Sequence, residues 1–433
     1  MVRLGYITAG LVLSVLWCSG AWASERFPPP QFETEYQQPT TTIPNLPQDI
    51  WEYVDSGVLL AAIGLSSYLV LRRRSRKAIF TLVVFSLAYF GFWRKGCVCA
   101  IGSIQNVVLS IFDPEYAIPA AVLVFFLAPL ISTLFFGRTF CAAVCPLGAV
   151  QDLVVLRPVA VPVWLESGLR LFAYVYLGLA VLLAATGSAF VICRYDPFVS
   201  FFRVTGNANI LVLGVCFLVV GIFVARPYCR FVCPYGVILR QLSRLSRWRV
   251  TITPDECVKC RLCEDSCPFG AIRKPTADWP AGEYKIAKRR LAGLLLLLPV
   301  LVFLGAWLGH AVGPAMSRTN PTVALAERMY SEEQGKVEDT TDASTAFRAT
   351  GKTVAQLYEE ASDIRARFGK GSLLFGAFVG LVGGLKLAGA SVRRKRTGYE
   401  ADRASCLACG RCFEYCPREH LRLKDPGKVV NKE

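Results

Sequence analysis

Histidine is nearly absent. The 433 residues hold two, His310 and His420. A cytochrome b needs at least two haem-ligating histidines within its membrane helices, and this chain cannot supply them. No C-x-x-C-H occurs, which excludes c-type haem attachment. A Walker A loop, a G-x-G-x-x-G after a strand and paired catalytic carboxylates are missing as well. Nothing marks a substrate pocket, so substrate chemistry is expected in a partner. The chain does not read as a stand-alone catalyst.

Apolar residues are abundant, at 54%, and the mean hydropathy is +0.42. That composition places the chain among membrane proteins. The net charge is +16. In a membrane protein, basic charge is first a signal of which loops face the cytoplasm. No separate basic domain is visible, so no nucleic-acid partner is expected.

The beginning, "MVRLGYITAGLVLSVLWCSGAWA", has Arg3, an apolar run and the small-x-small site Ala21-Trp22-Ala23. It predicts a signal peptide over 1–23, taking Cys18 with it. Residues 24–50, rich in Pro, Thr and Gln, read as a periplasmic linker. Apolar stretches follow at 54–71, 78–93, 118–136, 170–192, 209–225, 291–309 and 371–390. Each approaches the ~20 residues that cross a bilayer. Basic runs "RRRSRK" at 72–77, "KIAKRR" at 285–290 and "RRKR" at 393–396 mark inward-facing loops. The expectation is an α-helical polytopic protein of the bacterial inner membrane, with about seven transmembrane helices.

Seventeen cysteines are present, and they are grouped. "CVKCRLCEDSCP" (257–268) and "CLACGRCFEYCP" (406–417) both read C-x2-C-x2-C-x3-C-P. This is the bacterial ferredoxin run, in which the fourth cysteine of each run serves the other run's cluster. One [4Fe-4S] cluster would take Cys257, Cys260, Cys263 and Cys416. The second would take Cys406, Cys409, Cys412 and Cys267. Zinc ribbons share fragments of this spacing, but not four cysteines and a C-P in each run. The predicted organisation is a five-helix membrane core over 51–250, the first ferredoxin half at 251–290, a transmembrane hairpin at 291–390 carrying a periplasmic segment (310–370), and the second half at 391–433. A hairpin that returns to the same face lets both halves meet in the cytoplasm. Within 310–370, Val354, Leu357, Tyr358, Ala361, Ile364 and Phe368 share one helical stripe, read as a packing face.

A second set lies in an internal repeat. "RTFCAAVCPLGAV" and "RPYCRFVCPYGVI" align without gaps. Residues i and i+4 of a helix share a face, so Cys141 with Cys145 and Cys229 with Cys233 could offer four thiolates to an iron–sulfur or other metal centre. The same motif also fits simple helix capping, with Pro146 and Pro234 in first turns. Arg138, Arg226 and Arg230 would offset thiolate or cluster charge, or would be boundary residues. The third set, Cys97, Cys99 and Cys193, is expected on the opposite face, as a disulfide or as a redox or metal site. "CAIGSIQ" (99–105) echoes "CPLGAVQ" (145–151). Cys216, alone in a span, reads as packing.

The combination resembles the NosR/NapH/CcoG group of membrane iron–sulfur proteins. "GRTFCAAVCPLGAVQD", "CRYDPF" and "RPYCRFVCPYG" are similar in order and spacing to the membrane half of NosR-type proteins. The resemblance implies electron movement between the quinone pool or a cytoplasmic donor and a periplasmic reductase. NosR-type proteins carry a periplasmic flavin domain that is not evident here, so a flavoprotein partner would supply the flavin. The CcoG branch of the group implies the alternative of copper-centre maturation, and a redox-sensing regulator is the third reading.

Overall fold

The computed structural model describes residues 50–424 except 97, 160, 204–207, 253–257, 277–280, 338, 393–394 and 397. The predicted signal peptide, nearly all of the linker, Cys97 and Cys257 lie outside the described residues. The rest is helical but for one two-stranded sheet.

Helix α1 (Ile50–Tyr68) runs into a π turn over Leu69–Arg73, and α2 (Arg76–Ser86) into another over Leu87–Trp93. Short α3 (Ser103–Phe112) and α4 (Ala120–Phe136) follow. Then come α5 (Thr139–Ala143), α6 (Pro146–Leu153), α7 (Val163–Ala185), α8 (Val191–Tyr195), α9 (Pro197–Arg203), α10 (Ala208–Phe223), α11 (Pro227–Phe231) and α12 (Pro234–Leu242). Five helices among the described residues are long and apolar enough to cross a membrane: α1 and α2 with their π turns, α7, and the two long helices below. The expected seven is not reached by this measure, for local reasons. Helix α4 starts after Pro119 and ends at Gly137, leaving 17 residues. Helices α9 and α10 meet at a 106° bend, so together they form at most one broken span.

Two long helices make up the hairpin, α14 (Ala281–Ser317) and α17 (Val354–Ser391), following the four-residue α13 (Leu262–Asp265) and strand β1 (Ile272–Arg273). Between them, α15 (Pro321–Glu333) and α16 (Asp342–Ala349) close a small core of Val323, Ala326, Met329 and Phe347 against Leu357 and Ala361. The stripe from 354 to 368 is therefore a packing face. It does not end before the apolar run: the whole of 354–391 is one helix, opened by a capping box in which Thr353 and Gln356 bond reciprocally.

Glycine makes the hairpin close. A Cβ on Gly376 would overlap the Gly305 carbonyl, one on Gly309 the Ser372 carbonyl, and one on Gly380 the Leu301 carbonyl. Small residues at four-residue spacing let membrane helices touch backbone to backbone. Gly376→Leu is expected to force α14 and α17 apart, since overpacking costs ~1–3 kcal/mol even where side chains can yield. Gly383, with open space around it, is the control: Gly383→Leu should leave thermal unfolding in detergent unchanged while Gly376→Leu lowers its midpoint.

The two ferredoxin halves do meet. Strand β2 (Glu400–Ala401) pairs antiparallel with β1, Ile272 opposite Ala401 and Arg273 opposite Glu400. The pairing is extended by Asp402 N–H donating to the Ala271 carbonyl at 2.8 Å, and by Thr276 and Arg396 bonding to each other. Short helices α18 (Arg411–Glu414) and α19 (Pro417–Lys424) complete the second half.

Candidate metal centres

Within each ferredoxin run the backbone turns sharply. Lys259, Arg261, Ala408 and Gly410 adopt positive φ. Such turns aim backbone N–H groups at sulfur: Ala408 N–H points to Cys406 Sγ and Ala271 N–H to Cys267 Sγ, both at 3.4 Å. Cys267, from the first run, packs with Cys406 and Cys409 of the second around Phe269, Ala271 and Leu407. Cys412 joins Cys267 against Ile252, Ile272 and Tyr399. Burial, then the neighbouring Cys406, Cys409 and Cys267, push the Cys412 thiol well above its ordinary value. Burial pushes Cys406 up to about 12. A metal that binds thiols crowded this way displaces their protons. Cys260, Cys263 and Cys416 line a separate recess of about 390 Å³ with Ile252 and Tyr399. The chain thus brings together the crosswise sets expected from the runs, except Cys257, which lies outside the described residues.

Cys141, Cys145, Cys229 and Cys233 also gather, by a route other than the one expected. No continuous helix carries either pair. Cys141 lies in α5 and Cys229 in α11, each helix of five residues. Pro146 and Pro234 then start new helices, with Cys145 and Cys233 as their caps. Proline accepts the first helical turn but cannot continue a preceding helix. Capping and convergence are therefore two results of one motif. Gly236 N–H donates to Cys233 Sγ at 3.3 Å. Gln151 donates to Cys229 Sγ at 3.3 Å, and its carbonyl accepts from Tyr228 N–H at 3.0 Å. The Cys229 thiol sits at about 11, raised by burial against the pull of Arg226.

The three arginines are not boundary residues. Arg226 is fully buried and donates to the carbonyls of Cys141 and Ala142. Arg138, also buried, reaches the Ala404 carbonyl in the second ferredoxin half and lies 3.8 Å from Cys141 Sγ. Arg230 pairs with Glu166. Arg138, Arg170, Arg230 and Arg240 line a recess of about 420 Å³ beside Cys229 and Cys233. Burial, then Arg170 and Arg138, bring Arg240 down to about 9. Among the described residues, buried Nε of Arg138 and of Arg170 and Nη1 of Arg230 have no hydrogen-bond partner. Guanidinium donors left unsatisfied beside Cys229 and Cys233 fit an anionic centre, because a buried polar group without a hydrogen bond is costly. An iron–sulfur cluster, when bound, supplies one-electron chemistry to such a site.

Asp152 was not singled out by sequence. Its Oδ2 takes Arg76 at 2.8 Å and Arg226 at 3.5 Å, and its Oδ1 takes Arg411 at 3.5 Å. One carboxylate thus joins α2, both repeats and the second ferredoxin half. Arg76 also donates to the Cys409 carbonyl at 3.0 Å.

In the third set, Cys99 and Cys193 are free thiols, and the disulfide between them offered as one reading is not formed. They flank Gly102: a Cβ there would stand 3.1 Å from Cys193 Sγ and 3.7 Å from Cys99 Sγ. Cys97 lies outside the described residues. Cys216 is a free, half-buried thiol on α10.

Among the described residues no three His, Cys, Asp or Glu side chains converge as a single ion requires. A four-iron cluster binds its cysteines through separate irons, so its thiols surround a volume instead.

Comparison with known proteins finds matches over the segments that carry these cysteines. A family model described as a 4Fe-4S binding domain matches 118–162 and 207–253, the two C-x3-C-P repeats. Another of the same description matches 250–273, the first ferredoxin run. The chain is 27% identical to the regulatory protein NosR of Pseudomonas aeruginosa, over 50% of this chain and 32% of NosR. It is 30% identical to NirI of Paracoccus denitrificans, over 39% of this chain and 27% of NirI. Over part of its length the chain is similar to these NosR- and NirI-type membrane proteins, and the segments matched by the family models carry 4Fe-4S binding motifs. A protein of Escherichia coli named for electron transport, YccM, is 25% identical over 39% of this chain and 52% of its own length. The chain thus spans about half of YccM and a third or less of NosR and NirI. No solved structure matches it. The family matches indicate four-iron clusters, and iron–sulfur electron transfer or regulation is the role they suggest.

Proposed function

We propose that this chain is an iron–sulfur electron carrier of the bacterial inner membrane. It relays electrons between a quinone or cytoplasmic donor and a periplasmic reductase system, with a flavoprotein partner where flavin is needed. In this reading about seven segments span the bilayer, α4 and the bent α9–α10 pair included, and the ferredoxin faces the cytoplasm. Cys257, Cys260, Cys263 and Cys416 hold one cluster. Cys267, Cys406, Cys409 and Cys412 hold the second, and Cys141, Cys145, Cys229 and Cys233 a third centre.

The observation that carries the reading is the continuity of thiol sets. Cys263 packs beside Cys267 and Cys412. Cys141 packs against the same small core as Cys267, Cys406 and Cys409. Cys145, Cys233 and Cys99 belong to the next core. Ferredoxin and repeat cysteines thus share a small core, and Cys99 packs against the same larger core as Cys145 and Cys233, which supports a path between them.

The test uses the full chain in sealed vesicles, with an impermeant reductant on one side and an impermeant acceptor on the other. Wild type should carry electrons across. Cys229→Ser should fall to the background of empty vesicles while keeping its ferredoxin EPR signals. Transfer undiminished in Cys229→Ser would remove the repeats from the path. Regulation is the second reading, favoured by the similarity to the regulatory protein NosR. Copper-centre maturation predicts instead that copper binds Cys99 and Cys193.

A further inference from the structure

The local geometry of the C-x3-C-P repeats occurs a second time. In "CPLGAVQ", Gln151 accepts the N–H of Tyr228, the residue before Cys229. In "CAIGSIQ", Gln105 accepts the N–H of Ile192, the residue before Cys193, at 3.0 Å, and that of Cys193 at 3.4 Å. Gly102 N–H donates to Cys99 Sγ at 3.3 Å, as Gly236 N–H does to Cys233 Sγ. Cys99 thus corresponds to Cys145, Gln105 to Gln151 and Cys193 to Cys229.

The correspondence extends to one more residue. "CRYDPF" follows Cys193 as "CRFVCPY" follows Cys229, one residue shorter. Cys233 caps a helix that opens with Pro234. Asp196 precedes Pro197, which opens α9, and accepts from Phe198 N–H at 2.9 Å. Asp196 therefore stands where the repeat has its fourth thiol.

We propose that Cys99, Cys193 and Asp196 ligate a further iron–sulfur centre, with the Asp196 carboxylate in the place of a thiolate. The proposal rests on the electron-carrier reading in taking the chain to be loaded with iron and sulfide. Capping alone does not call for a carboxylate here, since Asn or Ser caps as well. Asp196 is 2% exposed, and no ion pair to it occurs among the described residues. It also accepts from the Val199 N–H and from the Tyr228 hydroxyl, the latter at 3.5 Å. A buried carboxylate without a cation is costly, and iron would supply that charge. Carboxylate oxygen is a harder ligand than thiolate and marks its iron as the distinct corner of the centre. Tyr228 connects the two sites, its backbone held by Gln151 and its hydroxyl on Asp196.

The full chain, purified anaerobically, is assayed for iron, acid-labile sulfide and EPR on reduction, as wild type, Cys193→Ser, Asp196→Asn and Asp196→Cys. If the centre exists as a four-iron cluster, Cys193→Ser loses about four irons and one signal, with the ferredoxin signals intact. Asp196→Asn keeps the helix cap but shifts or loses the same signal. Asp196→Cys keeps the iron and moves the signal toward that of an all-thiolate cluster. Iron, sulfide and spectra identical to wild type in Cys193→Ser and Asp196→Asn overturn the proposal. So does zinc or copper in place of iron, or a Cys99–Cys193 disulfide in the anaerobic protein. A wild type without ferredoxin signals is a separate result, which sinks the electron-carrier reading and this proposal with it.

Discussion

Cys267→Ser is expected to strip about four irons from the chain and to abolish the cluster whose other three thiols lie in the opposite run. Cys267 sits among Cys406 and Cys409, with Cys412 on its other side. Serine cannot replace a soft thiolate on iron at equal strength. The cluster of Cys260, Cys263 and Cys416 should survive with its EPR signal. Cys416→Ser should give the mirror result, sparing the Cys406 set. If Cys267→Ser instead destroyed the signal that depends on Cys260 and Cys263, each run would bind its own cluster and the crosswise assignment would fail. Iron and sulfide counts with EPR on the two variants decide the matter.

The second large effect belongs to Asp152. Burial would raise its carboxyl, but Arg226, Arg76 and Arg411 outweigh burial and bring it from 3.8 to about 2. A carboxyl whose folded pKa is depressed stabilises above its unfolded value and loses that contribution as pH falls through the folded one. Asp152 therefore supports the docked ferredoxin throughout the neutral range and releases it between about pH 4 and pH 2. In Asp152→Asn the three guanidiniums remain without their shared anion, Arg226 fully buried among them. Breaking a buried pair from one side costs about 3–5 kcal/mol. Loosening of the second ferredoxin half is the expected outcome, read as faster proteolysis or hydrogen exchange over 400–424 at neutral pH. An Asn variant as protected as wild type would show that the bonds from Ser243 to the Arg403 carbonyl and from Arg138 and Arg240 to the Ala404 carbonyl dock the half unaided.

Much of this was legible because cysteine spacing is local. The two runs name their eight thiols, and the repeat names four more. What spacing leaves open is how thiols approach. An unbroken helix would have paired Cys141 with Cys145 on one face, whereas Pro146 and Pro234 break each motif into two short helices. The arginines were visible but misplaced in part: a guanidinium near a span end looks like a boundary marker until the fold buries it. Asp152 carries no signal, since its three partners are dispersed from Arg76 to Arg411. Gln105 and Gln151 did carry one, in the echo of "CAIGSIQ" and "CPLGAVQ". The glycine seam was equally readable at Gly305, Gly309 and Gly313 and at Gly376, Gly380 and Gly384, spaced by four in both helices.

That seam lies between the two ferredoxin runs in the chain, and the order has a consequence for biogenesis. The ribosome makes Cys257 to Cys267 long before Cys406 to Cys416, and the last hairpin must insert and zip before the late thiols can reach the early ones. Neither crosswise set is complete until then. On the electron-carrier reading, loading of the two ferredoxin clusters is thereby postponed until the hairpin has been made, whereas the thiols of the repeats are in place earlier. The order of the chain thus makes the hairpin a precondition for completing the crosswise ferredoxin sets.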